Sequence, residues 1–407
     1  MRKIELHWQI LIALVLGVLT GIFATAYVPY ISWMGDLFLR LLKMIIIPLI
    51  ISSIITGVGG IGNSAGIGRL GLKTIFLYMS TSLVAILLGL LIVNIVKPGE
   101  GLDFSLMQEV DSLAIADSSI GSLLLNSIPE NIFKSMANGD MLPIILFAMI
   151  FGFFTNLADE RHRKPVLNFF GAVMEIIMKI TMAIIKLTPL GVFAIMATVI
   201  SKYAADAESI QRLASGLGLY MLCVLAALFI HSFVTLNGLL YFFARVNPLK
   251  HLRNMSVPLL TAFSTSSSSA TLPLTMAAVE NNDGVSNKVA SFTLPLGATI
   301  NMDGTALYEC IAVMFIAQVY GIELSFAQQV TVVLTALLAA IGSAGIPMAG
   351  LVMMTIVLTA VGLPLEGVGL IIAVDRLLDM FRTTVNVYGD TCVSVMVARS
   401  EGEKLNI

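Results

Sequence analysis

The sequence predicts an all-α membrane protein with eight transmembrane helices and two re-entrant helical hairpins. Of its 407 residues, 57% are hydrophobic and only 12% are charged, and the mean hydropathy is +0.95. An ordinary soluble domain carries about 25% charged residues. Half that density cannot cover the surface of a soluble protein of this size, so we expect the chain to lie in a lipid bilayer.

Eight apolar runs account for the predicted transmembrane helices, because a helix needs about 20 apolar residues to cross the hydrocarbon core. They are Trp8–Pro29, Trp33–Val58, Leu72–Val96, Met141–Leu157, Leu167–Ile200, Ala214–Phe243, Val289–Val319 and Leu365–Ala398. Two more apolar segments, Met255–Ala278 and Val330–Val361, are interrupted near their middles. The first is interrupted by Thr265–Ser269 and the second by Gly342–Pro347.

Lysine and arginine residues cluster at alternate connections between these runs, which predicts that both termini are cytoplasmic. The alternation holds only if the two interrupted segments enter and leave on the same face; a soluble loop is the alternative for each. Irregular backbone at membrane depth is tolerated only against protein or a water-filled cavity. Two such hairpins, each followed by a full span, indicate an inverted repeat with a ligand site between the tips. Helix amino ends at the tips would present unpaired N–H groups to an anion.

The last span carries a polar stripe. Five of its side chains fall within a sector of roughly 80° on an ideal helix, namely Asp375, Asp379, Arg382, Asn386 and Asp390. One charge at a helix centre costs about 2.5–3.5 kcal/mol in lipid, so these side chains are expected to face protein or water. The alternative to a ligand site is an internal ladder of ion pairs that holds helices together.

The types of these residues indicate their ligands. A guanidinium binds a carboxylate bidentately and a free carboxylate binds an ammonium, so Asp379 and Arg382 suit an α-amino acid with an acidic side chain. Asp303 and Asp390, which lie near amides and hydroxyls in the sequence, offer hard oxygen ligands for a sodium-like cation.

Other classes of site are not supported. A net charge of −2 and a pI near 6.1 argue against a nucleic-acid partner. The three cysteines form no CxxC pair or disulfide framework, and the four histidines are scattered.

Four segments resemble the dicarboxylate/amino acid:cation symporter family, which includes archaeal aspartate transporters and vertebrate excitatory amino acid transporters. They are Ser266–Ser269 with Thr271–Pro273, Asn301–Thr305, Gly342–Pro347 and Asp379–Asp390. The resemblance extends over essentially the whole chain. It implies a homotrimer in the cell inner (plasma) membrane, in contact with lipid, that works by an elevator mechanism. Each protomer would have a scaffold and trimerisation domain (1–70 and 103–205) and a transport domain (71–102 and 206–407, with hairpins at about 253–280 and 330–362).

The resemblance also implies the binding residues. Arg382 would bind the side-chain carboxylate of the substrate and Asp379 its amino group, and the hairpin at 330–362 would be the extracellular gate. The implied substrate-binding residues are Ser267, Ser268, Thr305, Ile346, Gly350, Asp379, Arg382, Thr383 and Asn386.

Three sodium sites are implied in the same way. The first uses Asp390 with carbonyl groups of Gly297, Asn301 and Asn386. The second uses the backbone of Thr299, Ala340, Ile341 and Ser343 together with Met302. The third uses Tyr78, Thr81, Ser82, Asn301 and Asp303.

Two positions depart from the family pattern. Archaeal relatives carry an arginine where this chain has Ser266, and vertebrate transporters carry it where this chain has Met380; we hypothesise that Arg376 fills the same space. Glu309 matches the vertebrate acidic residue where archaeal members have glutamine, which predicts proton co-transport through its buried carboxyl group. The vertebrate likeness also implies potassium counter-transport, which the missing arginine leaves open.

The sequence therefore predicts a secondary active transporter and not an enzyme, performing sodium-coupled symport of L-aspartate or L-glutamate, with H⁺ and K⁺ as possible further coupled ions. A proton- or sodium-coupled C4-dicarboxylate transporter is one alternative, although such a substrate has no amine for Asp379. An ion channel is another, although a channel is expected to line a continuous pore with repeated rings. A neutral amino acid transporter would not need the charge of Arg382, and an intramembrane enzyme would need a base beside its nucleophile, whereas no His or Lys accompanies the serine run.

Overall fold

All regular structure among the described residues is helical. The computed structural model describes residues 6–59, 65–102, 125, 128–203, 207–341 and 349–407. The main helices are α1 (Leu6–Phe23), α2 (Val28–Gly59), α3 (Ala65–Val96), α4 (Ile132–Asn138), α5 (Met141–Leu157), α6 (Glu160–Ile185), α7 (Thr188–Tyr203), α8 (Ala207–Ile230), α9 (Pro248–Asn254), α10 (Ser256–Thr265), α11 (Ser268–Ala278), α12 (Asn287–Ile300), α13 (Asp303–Val319), α14 (Phe326–Ile341), α15 (Ala349–Ala360) and α16 (Val368–Ser400). The predicted all-α class is confirmed.

Several of these helices are long and apolar enough to cross a membrane. Within the described ranges, five stretches meet that requirement: Thr25–Gly59, Arg69–Val96, Glu160–Ile185, Gln211–Ala244 and Asn287–Val319. Shorter apolar helices lie within α1, α5, α7, α14 and α15, and α16 is 33 residues long. The count of eight spans stays a prediction.

The predicted span Val289–Val319 lies within a stretch that is long and apolar enough to cross a membrane, but it is not one continuous helix, because the chain leaves helical geometry between α12 and α13. Asn301 has an extended backbone with φ −99° and ψ 98°, and its side-chain amide is hydrogen-bonded to Asp390 at 2.9 Å. Asp303 then opens α13, where an acidic side chain interacts favourably with the positive end of the helix dipole. The break therefore leaves helix-end backbone groups of α12 and α13 beside polar side chains.

The predicted span Leu167–Ile200 is also two helices. The helix α6 ends at Ile185, and α7 begins at Thr188 with Pro189 in its first turn. Proline has no backbone N–H, so it is tolerated at the start of a helix but interrupts the hydrogen bonds of a helix interior. Apolar periodicity does not reveal such a break, since both sides of it are equally hydrophobic.

The interruption in the first interrupted segment lies at a turn between two helices, while its re-entrant position in a membrane stays a prediction. The helices α10 and α11, on either side of this turn, pack against each other. Between them Ser266 adopts a left-handed backbone with φ 50°, and the Ser267 hydroxyl accepts a hydrogen bond from the N–H of Ala270 at 3.2 Å. The second pair, α14 and α15, is likewise in contact, but its predicted tip Gly342–Pro347 lies outside the described residues.

The helix α13 is the centre of the larger apolar cluster. All of its residues except Gln318 are buried, as expected for a helix that is surrounded by others. It contacts α3, α8, α14, α15 and α16, and α16 in turn contacts α10 and α12. A second group of contacts joins α2 to α5, α6 and α7, and α1 to α7. Most polar residues of the predicted substrate and sodium sites lie on helices of the first group, around α13 and α16.

A salt-bridge cluster joins the beginning of α3 to the end of α16. Glu401 lies 2.6 Å from Lys73 Nζ and 2.7 Å from Arg69 Nη2. Hydrogen bonds from Lys73 and Arg69 lower the pKa of Glu401 to about 2. A carboxylate whose pKa is lowered by folding stabilises the folded state above its unfolded pKa, and this stabilisation is lost as the pH falls toward the folded value.

We expect the substitution E401Q to lower the melting temperature of the purified protein at pH 7 and to have a much smaller effect near pH 2. The difference should shrink across the interval from pH 4.5 to pH 2, because the carboxyl group of the unfolded state becomes protonated there before that of the folded state. Thermal unfolding in detergent across this pH range measures the effect. Equal melting temperatures at pH 7 would show that the cluster contributes nothing to stability.

Candidate functional site

The polar stripe of α16 is buried inside the protein, as predicted. Its exposed fractions are 0% for Asp375, 5% for Asp379, 0% for Arg382, 3% for Asn386 and 3% for Asp390. On the other side of α16, Leu377 and Phe381 are 45% and 37% exposed. The helix thus turns its charged face toward neighbouring helices and its apolar face outward.

Arg382 is the centre of this stripe. Its Nη2 donates a hydrogen bond to Asp379 Oδ1 at 2.8 Å, and its Nη1 lies 3.1 Å from Asp375 Oδ1. The guanidinium carbon lies 3.8 Å from the ring centroid of Tyr308, whose hydroxyl donates to Asp375 at 2.7 Å. Two carboxylates and an aromatic face therefore fix a fully buried cation, a combination that compensates its desolvation.

The guanidinium still has unused donor capacity. Among the described residues, neither Nε nor Nη1 of Arg382 has a hydrogen-bond partner. A Cβ placed on Gly350 would lie 2.7 Å from Arg382 Nη1, so the first turn of α15 approaches the guanidinium closely. Nη1 is ion-paired with Asp375 but forms no hydrogen bond with it, so Nε and Nη1 together suit an additional anionic ligand with a planar, forked geometry.

The sequence predicted that Asp379 and Arg382 bind two different groups of a ligand, whereas in the structure they bind each other. Residues three apart on a helix are neighbours, so this contact follows from their spacing. In the part of the chain that the structure describes, the ion pairs of Arg376 and Arg382 are formed within α16, which differs from the predicted alternative of an interhelical ladder. A ligand that binds both residues has to replace their mutual contact.

The remaining predicted substrate positions that the structure describes lie on α16, on helices that contact it or at the tip between two such helices. Asn386 Nδ2 donates to Thr305 Oγ1 at 3.0 Å, and Asn386 Oδ1 accepts from the Gly304 N–H at 2.8 Å. Ser267 and Ser268 are buried at the tip between α10 and α11, and the hairpin reaches α16 through an edge-to-face contact of Phe263 and Phe381 at 5.1 Å. Thr383 is buried as well, and Ile346 lies outside the described residues.

Oxygen atoms of α3 and of the break between α12 and α13 converge at a second place. Ser82 Oγ donates to Asp303 Oδ1 at 2.5 Å, and Thr81 Oγ1 to the same oxygen at 3.3 Å. Both hydroxyls lie 3.5 Å from Asn301 Oδ1. The set contains carboxylate, amide and hydroxyl oxygens, which suit a hard monovalent or alkaline-earth cation and not zinc.

A neighbouring group is formed around Asp390. Asn301 Nδ2 donates to Asp390 Oδ1 at 2.9 Å, and the Tyr78 hydroxyl donates to the Thr293 carbonyl at 2.9 Å. A Cβ on Gly297 would overlap both Asp390 Oδ1 and the Tyr78 hydroxyl. Only glycine therefore lets these two oxygens approach the backbone of α12.

The structure gives fewer contacts for the residues of the second predicted cation site than for those of the other two sites. Thr299 and Met302 flank the break between α12 and α13, and Ala340 and Ile341 end α14. The helices α12 and α14 contact each other, while Ser343 lies outside the described residues. Within the described part of the chain, no group of three or more His, Cys, Asp or Glu side chains is arranged to hold a metal ion.

Sequence reasoning missed His231, which it treated as one of four scattered histidines. Its Nε2 lies 3.1 Å from Asp303 Oδ2, and both side chains are fully buried. His231 begins a π-helical stretch, His231–Leu236, that continues α8, and such turns frequently occur at functional sites. A single histidine in an otherwise apolar span is the only sequence signal that points to it.

Glu309 lies on α13, next to Tyr308, and is fully buried. Neither of its carboxyl oxygens has a hydrogen-bond partner among the described residues. A buried ionised carboxylate without partners is costly, so this position favours the neutral, protonated carboxyl group.

Comparison with known proteins gives consistent full-length similarities. A model of the sodium:dicarboxylate symporter family matches residues 6–400. The chain is 37% identical to a proton/sodium-glutamate symport protein of Geobacillus stearothermophilus, over 99% of this chain and 96% of the relative. It is 36% identical to the proton/glutamate-aspartate symporter of Escherichia coli strain K12 (98% and 93%) and 36% identical to excitatory amino acid transporter 3 of Homo sapiens (100% and 88%). These alignments span every segment that forms the site.

We expect G297A to destabilise the protein by about 1–3 kcal/mol, because the added methyl group overlaps Asp390 and Tyr78 and the surrounding groups must move. Thermal unfolding in detergent measures this effect. G171A is the matched control, since a Cβ at Gly171 in α6 meets nothing within 4 Å. Equal melting temperatures for the two variants would contradict the close approach at Gly297.

Proposed function

The chain belongs to the sodium:dicarboxylate symporter family, and we propose that it is a secondary active transporter that carries L-aspartate and L-glutamate together with Na⁺. The observation that carries the proposal is the buried Arg382, held between Asp375 and Asp379 with unused N–H donors. Members of the family are symporters, so the protein is a multi-pass membrane transporter and not an enzyme. The relatives named for glutamate and aspartate symport support the choice of substrate.

In the proposed complex, Arg382 binds the side-chain carboxylate of the substrate and Asp379 binds its amino group. The substrate thereby replaces the contact between Arg382 and Asp379 with one partner for each. Asn386 and the backbone at Ser267 and Ser268 receive the α-carboxylate, with the helix amino end at this tip favouring negative charge. Thr305, Thr383, Ile346 and Gly350 complete the surroundings.

Three sodium ions would bind at the two oxygen clusters and at the end of α14. The first ion uses Asp390 with carbonyls of Gly297, Asn301 and Asn386, and the third uses Asp303 with Tyr78, Thr81, Ser82 and Asn301. The second uses Met302 and the backbone of Thr299, Ala340, Ile341 and Ser343. Because Asn301 takes part in two of these sites and Asn386 joins one of them to the substrate, cation and substrate binding are coupled through shared residues.

The transport movement we propose is an elevator motion of a homotrimer in the plasma membrane, with both termini cytoplasmic. Residues 1–70 and 103–205 form the scaffold, and residues 71–102 and 206–407 move with the substrate. The two groups of helix contacts, one around α2 and one around α13 and α16, support this division. The hairpin at 330–362 is the proposed extracellular gate.

Glu309 is the proposed carrier of a co-transported proton. Its full burial and lack of hydrogen-bond partners among the described residues support a neutral carboxyl group in this state. Relatives that carry the name proton/sodium-glutamate symport protein support coupling to protons as well as sodium.

We expect R382A to reduce sodium-driven uptake of labelled L-aspartate into proteoliposomes by more than about 100-fold, since it removes a buried charged partner of the substrate. K179M is the control, because it removes a cation from an exposed pair with Glu175 and should leave uptake unchanged. Gel filtration and a melting curve establish that R382A is folded.

Uptake of aspartate by R382A at the wild-type rate would refute the proposed substrate site. Unlabelled L-glutamate should compete with aspartate in the wild type, whereas succinate, which has no amino group for Asp379, should compete at least tenfold less well. Equal competition by succinate would favour a C4-dicarboxylate transporter instead.

We expect E309Q to abolish the acceleration of uptake by an inward proton gradient while sodium-driven uptake remains. The amide of glutamine fills the same space but cannot bind and release a proton. Uptake measured at fixed sodium, with and without a pH gradient, tests this expectation. A wild-type rate that does not depend on the pH gradient, matched by E309Q, would count against Glu309 as the proton carrier.

A further inference from the structure

Asp379 is bound by two arginines from its own helix. Oδ1 accepts the hydrogen bond from Arg382, and Oδ2 lies 3.5 Å from Arg376 Nη1. Arg376 differs from Arg382 in its surroundings, because its side chain is 23% exposed whereas that of Arg382 is 1% exposed. One arginine is therefore fixed in the core, while the other reaches Asp379 from the edge of the site.

The charges of this part of α16 balance. Asp375 and Asp379 carry two negative charges, and Arg376 and Arg382 carry two positive charges. Glu309, the other acidic side chain beside Arg382, is neutral when it carries its proton. Without Arg376 these four positions of α16 would keep one uncompensated negative charge, which is costly to bury at membrane depth.

We propose that Arg376 is an internal counter-cation that takes the place of the substrate amino group on Asp379 whenever the site is empty. The inference rests on the proposed function and concerns its return step. When substrate binds, its ammonium group displaces Arg376, whose partly exposed side chain moves toward water, and Arg382 turns from Asp379 to the substrate carboxylate. When substrate leaves, Arg376 returns to Asp379, and the empty site crosses the membrane without a second cation. Arg376 is thus a positioning residue that acts through Asp379.

The experiment compares two transport modes of the same proteoliposomes. Net uptake of labelled L-aspartate into vesicles without internal substrate requires the empty carrier to return. Exchange of labelled external for unlabelled internal L-aspartate, with sodium on both sides, does not. Because Arg376 competes with the ammonium group, exchange by R376M should reach half-maximal rate at an equal or lower aspartate concentration than in the wild type. The ratio of net uptake to exchange should fall at least about tenfold, since the returning site carries an unbalanced charge.

R376K keeps the cation and should preserve a ratio of net uptake to exchange close to that of the wild type. K179M again serves as the control for loss of a distant cation. Wild-type net uptake should be equal with potassium chloride or choline chloride inside the vesicles. The inference would be overturned if R376M kept the wild-type ratio of net uptake to exchange, or if this ratio fell as much in R376K as in R376M. A strict requirement of the wild type for internal potassium would overturn it as well. Absence of both sodium-dependent uptake and exchange in the wild type would instead refute the proposed function, and this inference with it.

Discussion

The burial of charge in α16 is the constraint on which the rest of the structure depends. Four charged residues between Asp375 and Arg382 lie in a helix that packs against α10, α12 and α13. They are stable there because each is within 3.5 Å of an oppositely charged group and because Tyr308 provides both a ring and a hydroxyl. The site is consequently a set of ion pairs that a ligand of matching charge can enter by exchanging partners.

Irregular backbone supplies the other half of the site. The break between α12 and α13 brings Asn301 and Asp303 to the hydroxyls of α3, and the tip between α10 and α11 brings serines toward α16. Glycine allows the closest approaches, since Gly297 lies against Asp390 and Gly350 against Arg382. Asn301, Asp303 and the serines of the tip are thus provided where regular helices stop, and the apolar helices around them hold those ends in place.

Hydropathy and residue spacing are local properties of the chain. They are sufficient to predict the helical class, the hairpin tip at Ser266–Ser267 and the buried stripe of α16. They do not predict the breaks at Lys186–Leu187 and Asn301–Met302, since the residues on either side are equally apolar. The contacts of His231 with Asp303 and of Tyr308 with Asp375 join helices far apart in sequence. Such pairings depend on tertiary packing, which the order of residues does not reveal without a structure.

The burial of α13 along nearly its whole length has a consequence for selectivity. Its amides reach water only if several surrounding helices separate, so opening this helix is close to global unfolding and should be among the slowest steps seen by hydrogen exchange. Asp303 is its first residue and is further fixed by Ser82 and His231. In the proposed sodium site, Asp303 thus attaches the oxygen cluster to a buried helix, and a rigid set of oxygen ligands discriminates between ions of equal charge by their radius.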